Sequence, residues 1–421
     1  MQNTKIGYGA TEILLPDFSK VDGSRWATVA CDQYTSEPEY WAEVEKTVGD
    51  APSTLHLILP EVYLNEAEAR IPAINREMER IAPTLRAYPQ AMICLERTQS
   101  DGRVRTGIVG ALDLETYDYK KGSETLTRAT EGTVLERIPP RVAIRRNASL
   151  ELPHVMLLID DPARTAIEPT LASCREREPI YDFDLMQGGG HVRGYLMNNA
   201  EQEALGSALA ALIDPKALTA RYGEGASPFL FAVGDGNHSL ATAKAIYEEL
   251  KERIGVEAAR QHPARYALTE IVNLHDDALQ FEPIYRVVFH CDPADLLAEL
   301  QAAIDAQNGS APAQKLQWFT AEGEGEIMIP HPTAQLTVGT LQEFLFDYST
   351  RHPEVEVDYI HGEDSLKALA KKPGAIGFLF DGMRKDELFR SVLFDGALPR
   401  KTFSMGHAAD KRYYLESRKV R

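Results

Sequence analysis

Cysteine is scarce, and the four present, Cys31, Cys94, Cys174 and Cys291, stand far apart with no Cys-x-x-Cys pair. That spacing excludes a thiolate zinc site or a dithiol motif and points to a reduced compartment. Long apolar runs are missing too. No segment approaches the ~18 unbroken apolar residues of a membrane span, and Met1-Gln2-Asn3-Thr4-Lys5 is not a basic start leading into an apolar stretch. A soluble, cytoplasmic protein with no membrane partner is expected. Positive charge is in deficit, with 45 Lys plus Arg against 63 Asp plus Glu and a formal net charge of −18. Such a chain repels polyanions, so nucleic acid is not an expected partner. His191, His262, His275 and His290 have no ligand spacing, and no metal site is expected from them. There is no internal repeat or low-complexity tract, and the 29 Gly and 24 Pro are spread along the chain, which excludes fibrous or globally disordered classes.

At 421 residues the chain has room for two or three domains. Short apolar runs at Ile13-Leu14-Leu15 and 27–30 read as short strands. Helical spacing runs over 63–86, with Asn65 as a candidate N-cap. The runs 91–95 and 105–112, with a turn at Asp101-Gly102, predict a hairpin. Val155 to Ile159 reads as a buried strand stopped by Asp160-Asp161-Pro162. A helix over 201–220, a strand over 228–233, a helix over 239–254 and a strand over 266–274 follow. The alternation predicts a mixed α/β fold. The Gly, Ala, Pro and Gln content of 308–325 predicts a loop or boundary, and 375–380 is a further strand. The expected regions are 1–150 with a ligand loop, 151–307 as an α/β core, and 308–421 packed on that core.

The sharpest local signal is Val233-Gly234-Asp235-Gly236-Asn237-His238-Ser239, a strand passing through a tight turn into a helix. Gly234 and Gly236 permit positive φ and close ligand approach. The first N–H groups of the helix lack intrahelical partners and carry partial positive charge, which suits a phosphate. Asn237, His238 and Ser239 stand at that start, and Asp235 is placed to contact a metal or a hydroxyl. Behind them Leu240, Ala243, Tyr247 and Leu250 form the stripe that seats the helix. The same residues also fit an ordinary capped helix with Ser239 or Asn237 as N-cap, and the spacing leaves both readings open. Neither a Walker A loop nor a three-glycine dinucleotide fingerprint is present.

Residues 128–146 hold five arginines against Glu131 and Glu136, a local +3 in an acidic chain. Arginine suits bidentate recognition of phosphate or carboxylate, so an anionic small molecule is the expected ligand. Arg128, Thr130, Glu131 and Thr133 surround Gly132, with Arg137 and Arg141 following; an exposed segment of salt-bridged arginines is the other reading. The chain finishes in a basic stretch from Leu398-Pro399-Arg400-Lys401 through Lys411-Arg412-Tyr413-Tyr414, and its cluster from Pro399 to His407, with Arg400, Lys401 and Thr402, is either part of a site or a frayed basic tail. Cys31-Asp32-Gln33-Tyr34 ends an apolar run, and reads either as a polar group at a strand end or as a buried structural Cys.

Six ordered segments resemble the domain-of-unknown-function family numbered 1015: 105–110 (Arg-Thr-Gly-Ile-Val-Gly), 128–133 (Arg-Ala-Thr-Glu-Gly-Thr), 158–162 (Leu-Ile-Asp-Asp-Pro), 234–239, 359–362 (Tyr-Ile-His-Gly) and 399–402. The family's turn, commonly Asp-Gly-His-His-Arg, is in turn similar to the phosphate-binding turn of ParB, sulfiredoxin and free serine kinase proteins. The resemblance implies a ParB/sulfiredoxin-like nucleotide-binding core with added N- and C-terminal α/β elements. It implies ATP or ADP with Mg²⁺ as cofactors, and phosphoryl transfer to a small hydroxylated metabolite such as a free amino acid. Asp235, His238 and Glu131 become catalytic candidates. Gly234, Gly236, Asn237, Ser239, Arg128, Thr130, Thr133, Arg137, Arg141 and Lys401 become phosphate or nucleotide contacts. Asn237 and Ser239 depart from the common His and Arg, and Arg128 stands where many relatives carry Glu. A nucleotide- or metabolite-sensing protein without turnover is the alternative.

Overall fold

A computed structural model of the chain describes residues 5–120, 122–132 and 138–421, with only the backbone at 138–140. Thr133 and Arg137 lie outside the described residues. The fold is mixed α/β, as the alternation predicts. The chain divides into a larger unit, Met1–Ala129, Thr133–Leu279 and His407–Arg421, and a smaller one, Thr130–Gly132 with Gln280–Gly406. These divisions are not the 150/151 and 307/308 steps expected from composition. Each unit is closed by strand pairings between residues far apart in sequence, which composition does not report.

Among the described residues, ten strands form the main sheet of the larger unit. Its spatial order is Tyr181–Asp184, His191–Leu196, Ile93–Thr98, Val104–Asp113, Tyr266–Asn273, Met156–Ile159, Phe231–Asp235, Thr127–Ala129 and Tyr117–Asp118, and Tyr8–Gly9 pairs with Val104–Asp113. Tyr266–Asn273 runs parallel to Met156–Ile159, and Phe231–Asp235 runs antiparallel to it. The Arg-Thr-Gly-Ile-Val-Gly segment shows why it has that composition. A Cβ on Gly107 would stand 2.3 Å from Glu270 Oε1, and one on Gly110 would stand 2.9 Å from the Tyr8 ring. The Tyr8 hydroxyl donates to the carbonyls of Ile108 (2.9 Å) and Thr269 (3.0 Å), pinning the short first strand across the sheet.

The space kept by Gly107 holds a buried ionic cluster. Glu270 is fully buried and accepts from Arg412, with Arg105 at 3.4 Å; Arg412 also meets Glu416 at 2.5 Å, and Tyr181 donates to Glu416 at 2.7 Å. Burial alone raises the Glu270 carboxyl, but Arg105 and Arg412 hold it below the usual carboxylate range. The C-terminal stretch is therefore no frayed tail. Asp410, Arg412 to Arg418 and Val420 are buried, and Tyr413-Tyr414 pairs with Thr28-Val29.

Three local expectations change. The helix over 63–86 divides into 3₁₀ turns at Glu61–Glu66 and Ala82–Thr84 around an α-helix at Ala67–Ile81; Glu66 leaves the helical region before the α-helix, and Asn65 does not cap it. The helix over 201–220 is two helices, Asn199–Leu212 with an Asn198/Glu201 capping box and Pro215–Tyr222, separated at Asp214-Pro215. The expected loop at 308–325 contains the strand Gln314–Phe319, paired with Glu324–Ile329. Burial of alternate residues, Gln314 and Leu316, outweighs the composition there.

In the smaller unit the strand order is Glu324–Ile329, Gln314–Phe319, Ala375–Phe380, Phe281–Phe289 and Glu356–His361, with Phe403–Met405 on the early part of Phe281–Phe289. Arg286 is fully buried there and donates to the carbonyls of Ile284 (2.6 Å), Lys401 (3.1 Å) and Arg400 (3.2 Å) and to Gln342 (2.8 Å). One guanidinium thus fixes the backbone of the 400–401 turn.

Removing one member of the Glu270 cluster leaves buried guanidinium groups without compensation. Glu270→Gln is expected to cost about 3–5 kcal/mol of stability, and Gly107→Ala about 2 kcal/mol or more by overpacking the same carboxylate. Urea unfolding of the two variants at neutral pH measures both; stabilities equal to the parent chain would refute the assignment.

Candidate functional site

The strand Phe231–Asp235 delivers the turn. Gly234 and Asp235 still belong to the strand, Gly236 takes the left-handed conformation (φ 76°, ψ 27°), and the helix Asn237–Ile254 starts directly after it. Of the two glycines only Gly236 uses positive φ. A Cβ there would lie 3.1 Å from Val155 Cα and 3.3 Å from His154 Cδ2, so glycine is required twice over. Neither Asn237 nor Ser239 is the N-cap. The cap is Gly236, with no side-chain cap hydrogen bond. An 18-residue helix thus starts after a residue that offers no side-chain cap. Leu240, Ala243, Tyr247 and Leu250 are buried behind it.

Asp235 is fixed beside this helix start. Its Oδ1 accepts from the Gly236 N–H at 2.8 Å, and its Oδ2 lies 3.3 Å from Lys411 Nζ. Asn237 is buried and donates from Nδ2 to the Val233 carbonyl at 3.3 Å, while His238 and Ser239 are half-buried. Two further segments complete the surroundings. His154, just before Met156–Ile159, pairs through Nδ1 with the Tyr414 hydroxyl at 2.8 Å, and Tyr414 donates to Cys31 Sγ at 3.1 Å. Burial, aided by the Asp32 charge, pushes the Cys31 thiol up to about 12. Asp32 accepts from Gln33 at 3.0 Å. Burial raises its carboxyl, but the charges of His154 and Lys411 and the Gln33 hydrogen bond outweigh burial and hold it below the usual range. The result is a helix N-terminus flanked by two carboxylates, a lysine and a histidine.

Sequence reasoning missed His154, Lys411 and Asp32 as a group. Asp32 stood out as a polar residue at a strand end and Lys411 as part of a basic stretch, but only the sheet brings them to the turn. His154 carried no signal beyond its place before a buried strand.

The remaining candidates are distributed differently. Arg128 donates from its guanidinium to the Thr125 carbonyl (3.0 Å), Ser227 Oγ (2.7 Å) and the Pro228 carbonyl (3.2 Å), and it lies 4.8 Å over Phe229. Those residues precede the strand whose far end carries the turn, so the structure does not bring Arg128 to it. Arg141 is ion-paired with Glu61, Arg145 with Glu151 and Arg146 with Glu249, which favours the salt-bridged reading of their helix, Ile138–Arg146. In the smaller unit, Thr130 is buried and its carbonyl accepts from Leu398 N–H at 2.7 Å, and Glu131 bridges to Leu398. Thr130 and Glu131 therefore lie beside the 399–402 segment, where Lys401 has positive φ (53°) and its Nζ stands 5.0 Å from the Tyr359 ring centre. A cleft of about 550 Å³ in the larger unit is floored by Leu55, Ile58 and Ile74, and none of the candidates lines it. Among the described residues no helix is long and apolar enough to cross a membrane.

The family's sequence model matches residues 16–389. The chain belongs to the family described as "Protein of unknown function (DUF1015)". No curated protein matches it. Solved structures similar to it include a conserved hypothetical protein from Pyrococcus furiosus, at 11% identity and TM-score 0.34, covering 74% of this chain and 94% of that one. A free serine kinase variant in complex with ADP is 10% identical at TM-score 0.36, over 71% of this chain and 92% of that one. C-terminally truncated SbnI from Staphylococcus aureus is 8% identical at TM-score 0.35, over 71% and 82%. In the larger unit the turn is joined by Asp32, His154 and Lys411.

The depressed carboxyl of Asp32 gives a pH signature. A carboxyl lowered on folding adds stability that is complete above its unfolded value and is lost as pH falls through the folded one. Asp32→Asn is therefore expected to destabilise the chain by about 1–2 kcal/mol at pH 7, with the difference shrinking in acid. Denaturant titrations at pH 7 and pH 3 compare the two, and a pH-independent difference would count against the assignment.

Proposed function

We propose that this protein binds a nucleotide through phosphate held at the turn Gly234 to Ser239, and that it transfers a phosphoryl group to a small hydroxylated metabolite. The observation that carries the reading is the start of Asn237–Ile254, whose N-cap is a left-handed glycine, with Lys411 3.3 Å from the adjoining Asp235. Backbone N–H groups at a helix N-terminus and a neighbouring ammonium are the elements that grip phosphate in such turns.

In this reading the nucleotide phosphates accept from the first N–H groups of the helix and draw Lys411 from Asp235. The Asp235 carboxylate is then released to accept the proton of the acceptor hydroxyl. Lys411 and the helix dipole offset the charge that builds on the transferred group, and positioning supplies the rest. Among the described residues no group of three or more His, Cys, Asp or Glu is placed to hold a metal ion. Magnesium, which commonly reaches protein on phosphates with one or two carboxylates, would meet Asp235. An anionic small molecule in a cytoplasmic protein is the partner this reading takes.

Ser239, in place of the arginine common in this turn, favours one second reading, nucleotide sensing without turnover. Isothermal titration with ATP and with ADP in the presence of Mg²⁺ is expected to show saturable binding. Lys411→Met should weaken it at least about tenfold, the loss of one charged contact, while thermal unfolding stays near the parent value. No binding at millimolar nucleotide by the folded chain would remove the proposal. Tight binding with no transfer to a panel of hydroxylated amino acids and polyols would select the sensor.

A further inference from the structure

His154 packs against both the buried Tyr414 and the N-cap of the helix Asn237–Ile254. Its Nδ1 is 2.8 Å from the Tyr414 hydroxyl, and its Cδ2 is 3.3 Å from the place a Cβ on Gly236 would take. Nε2 is bonded to that Cδ2, so it lies one bond from the atom packed on the N-cap. Among the described residues Nε2 has no hydrogen-bond partner, and His154 is half-buried.

The hydrogen bonds on the Tyr414 oxygen decide which ring nitrogen carries a proton. A phenol oxygen has one hydrogen and two lone pairs. The hydrogen goes to Cys31 Sγ at 3.1 Å, and the Cys31 N–H occupies one lone pair at 3.3 Å. The second lone pair accepts from His154, so Nδ1 bears the proton. In the neutral ring Nε2 is then an acceptor and offers nothing to an anion. A proton added at Nε2 leaves the bond to Tyr414 in place and creates a charged donor beside the helix start. Tyr414 and Cys31 stay neutral in that step, since burial raises the phenol well above its usual range and the thiol to about 12.

Among the described residues, the charged groups around this ring are Asp32, the Asp235 and Lys411 pair, and, beyond Cys31, Glu61 with Arg141. Glu61 and Arg141 are paired with each other, which leaves two carboxylates against one lysine. A phosphate at the turn adds further negative charge. Histidine is the side chain that ordinarily gains a positive charge near neutral pH.

We propose, on the basis of nucleotide binding at the turn, that His154 is a second cationic contact of the bound phosphate. Nε2 takes up a proton from solvent as the nucleotide binds and donates to a phosphate oxygen, beside the helix N–H groups and Lys411. Tyr414 is the positioning residue that holds the ring for this contact.

Titration calorimetry with ADP and Mg²⁺, run near pH 7.5 in two buffers of different ionisation enthalpy, counts the proton. The parent chain is expected to take up a proton in part, and its affinity to fall about tenfold from pH 6 to pH 8.5, the worth of one charged hydrogen bond. The terminal phosphate of the nucleotide contributes with the opposite sign, because cations around it favour its ionised form. His154→Asn keeps an amide N–H at the Nδ1 position and lacks Nε2; it should bind about tenfold more weakly at pH 6 and lose the uptake. His154→Gln places a neutral amide near the Nε2 position and should recover affinity without uptake. Uptake that persists in His154→Asn would assign the proton to a carboxylate and overturn the proposal. A parent chain that binds ADP without taking up a proton would refute it even if neither variant folds. Failure of the folded parent to bind ADP at all is the separate outcome that removes the phosphate reading of the turn, and this proposal with it.

Discussion

The ion pair between Glu270 and Arg412 ties the main sheet of the larger unit to its C-terminal segment. Glu270 sits in the Tyr266–Asn273 strand near the middle of the main sheet, and Arg412 comes from the last fifteen residues of the chain. Neither charge is tolerable there alone, so the C-terminal segment must enter the unit for the sheet to be electrically complete. Arg105 shares the carboxylate, and Gly107 leaves the room for it. The Arg-Thr-Gly order at 105–107 is thus a requirement of one buried carboxylate. It reads as a motif only because three residue types must meet at that point.

That anchor also sets the chemistry at the turn. With Arg412 held in the sheet, its neighbour Lys411 is carried to Asp235, and Tyr413-Tyr414 is laid against Thr28-Val29. Tyr414 then reaches His154 and Cys31, which fixes the surroundings of Asp32. Four chain segments, near residues 32, 154, 235 and 411, come together because one buried arginine determines where the last of them runs.

The turn itself was legible from sequence, because Gly-Asp-Gly between an apolar strand and a helical stripe is local information. The mixed α/β class was legible for the same reason. What was not legible depended on partners distant in sequence. The local charge at Arg128 and Arg141 is positive, but their partners Ser227 and Glu61 lie far away along the chain. The strand at Gln314–Phe319 was hidden by loop-like composition, since only pairing on both sides makes it a strand. Cys94 and Cys174 are separated by 79 intervening residues, but their sulfurs are 3.2 Å apart, a proximity that spacing cannot show.

The distribution of arginine finally bears on what kind of anion site the turn can be. Arg128, Arg141, Arg145, Arg146, Arg412 and Arg418 are all held by carboxylates or carbonyls within the larger unit. The locally positive stretches are therefore spent largely on building the fold. At the turn, the positive potential comes from the backbone at the helix start, with Lys411 and His154 beside it. A grip made by backbone N–H groups does not depend on the arginine that is common at the position of Ser239. In the proposed reading it rests on the left-handed geometry of Gly236 and on a lysine delivered by the C-terminal segment, so an arginine at the position of Ser239 would change the strength of the grip and not its basis.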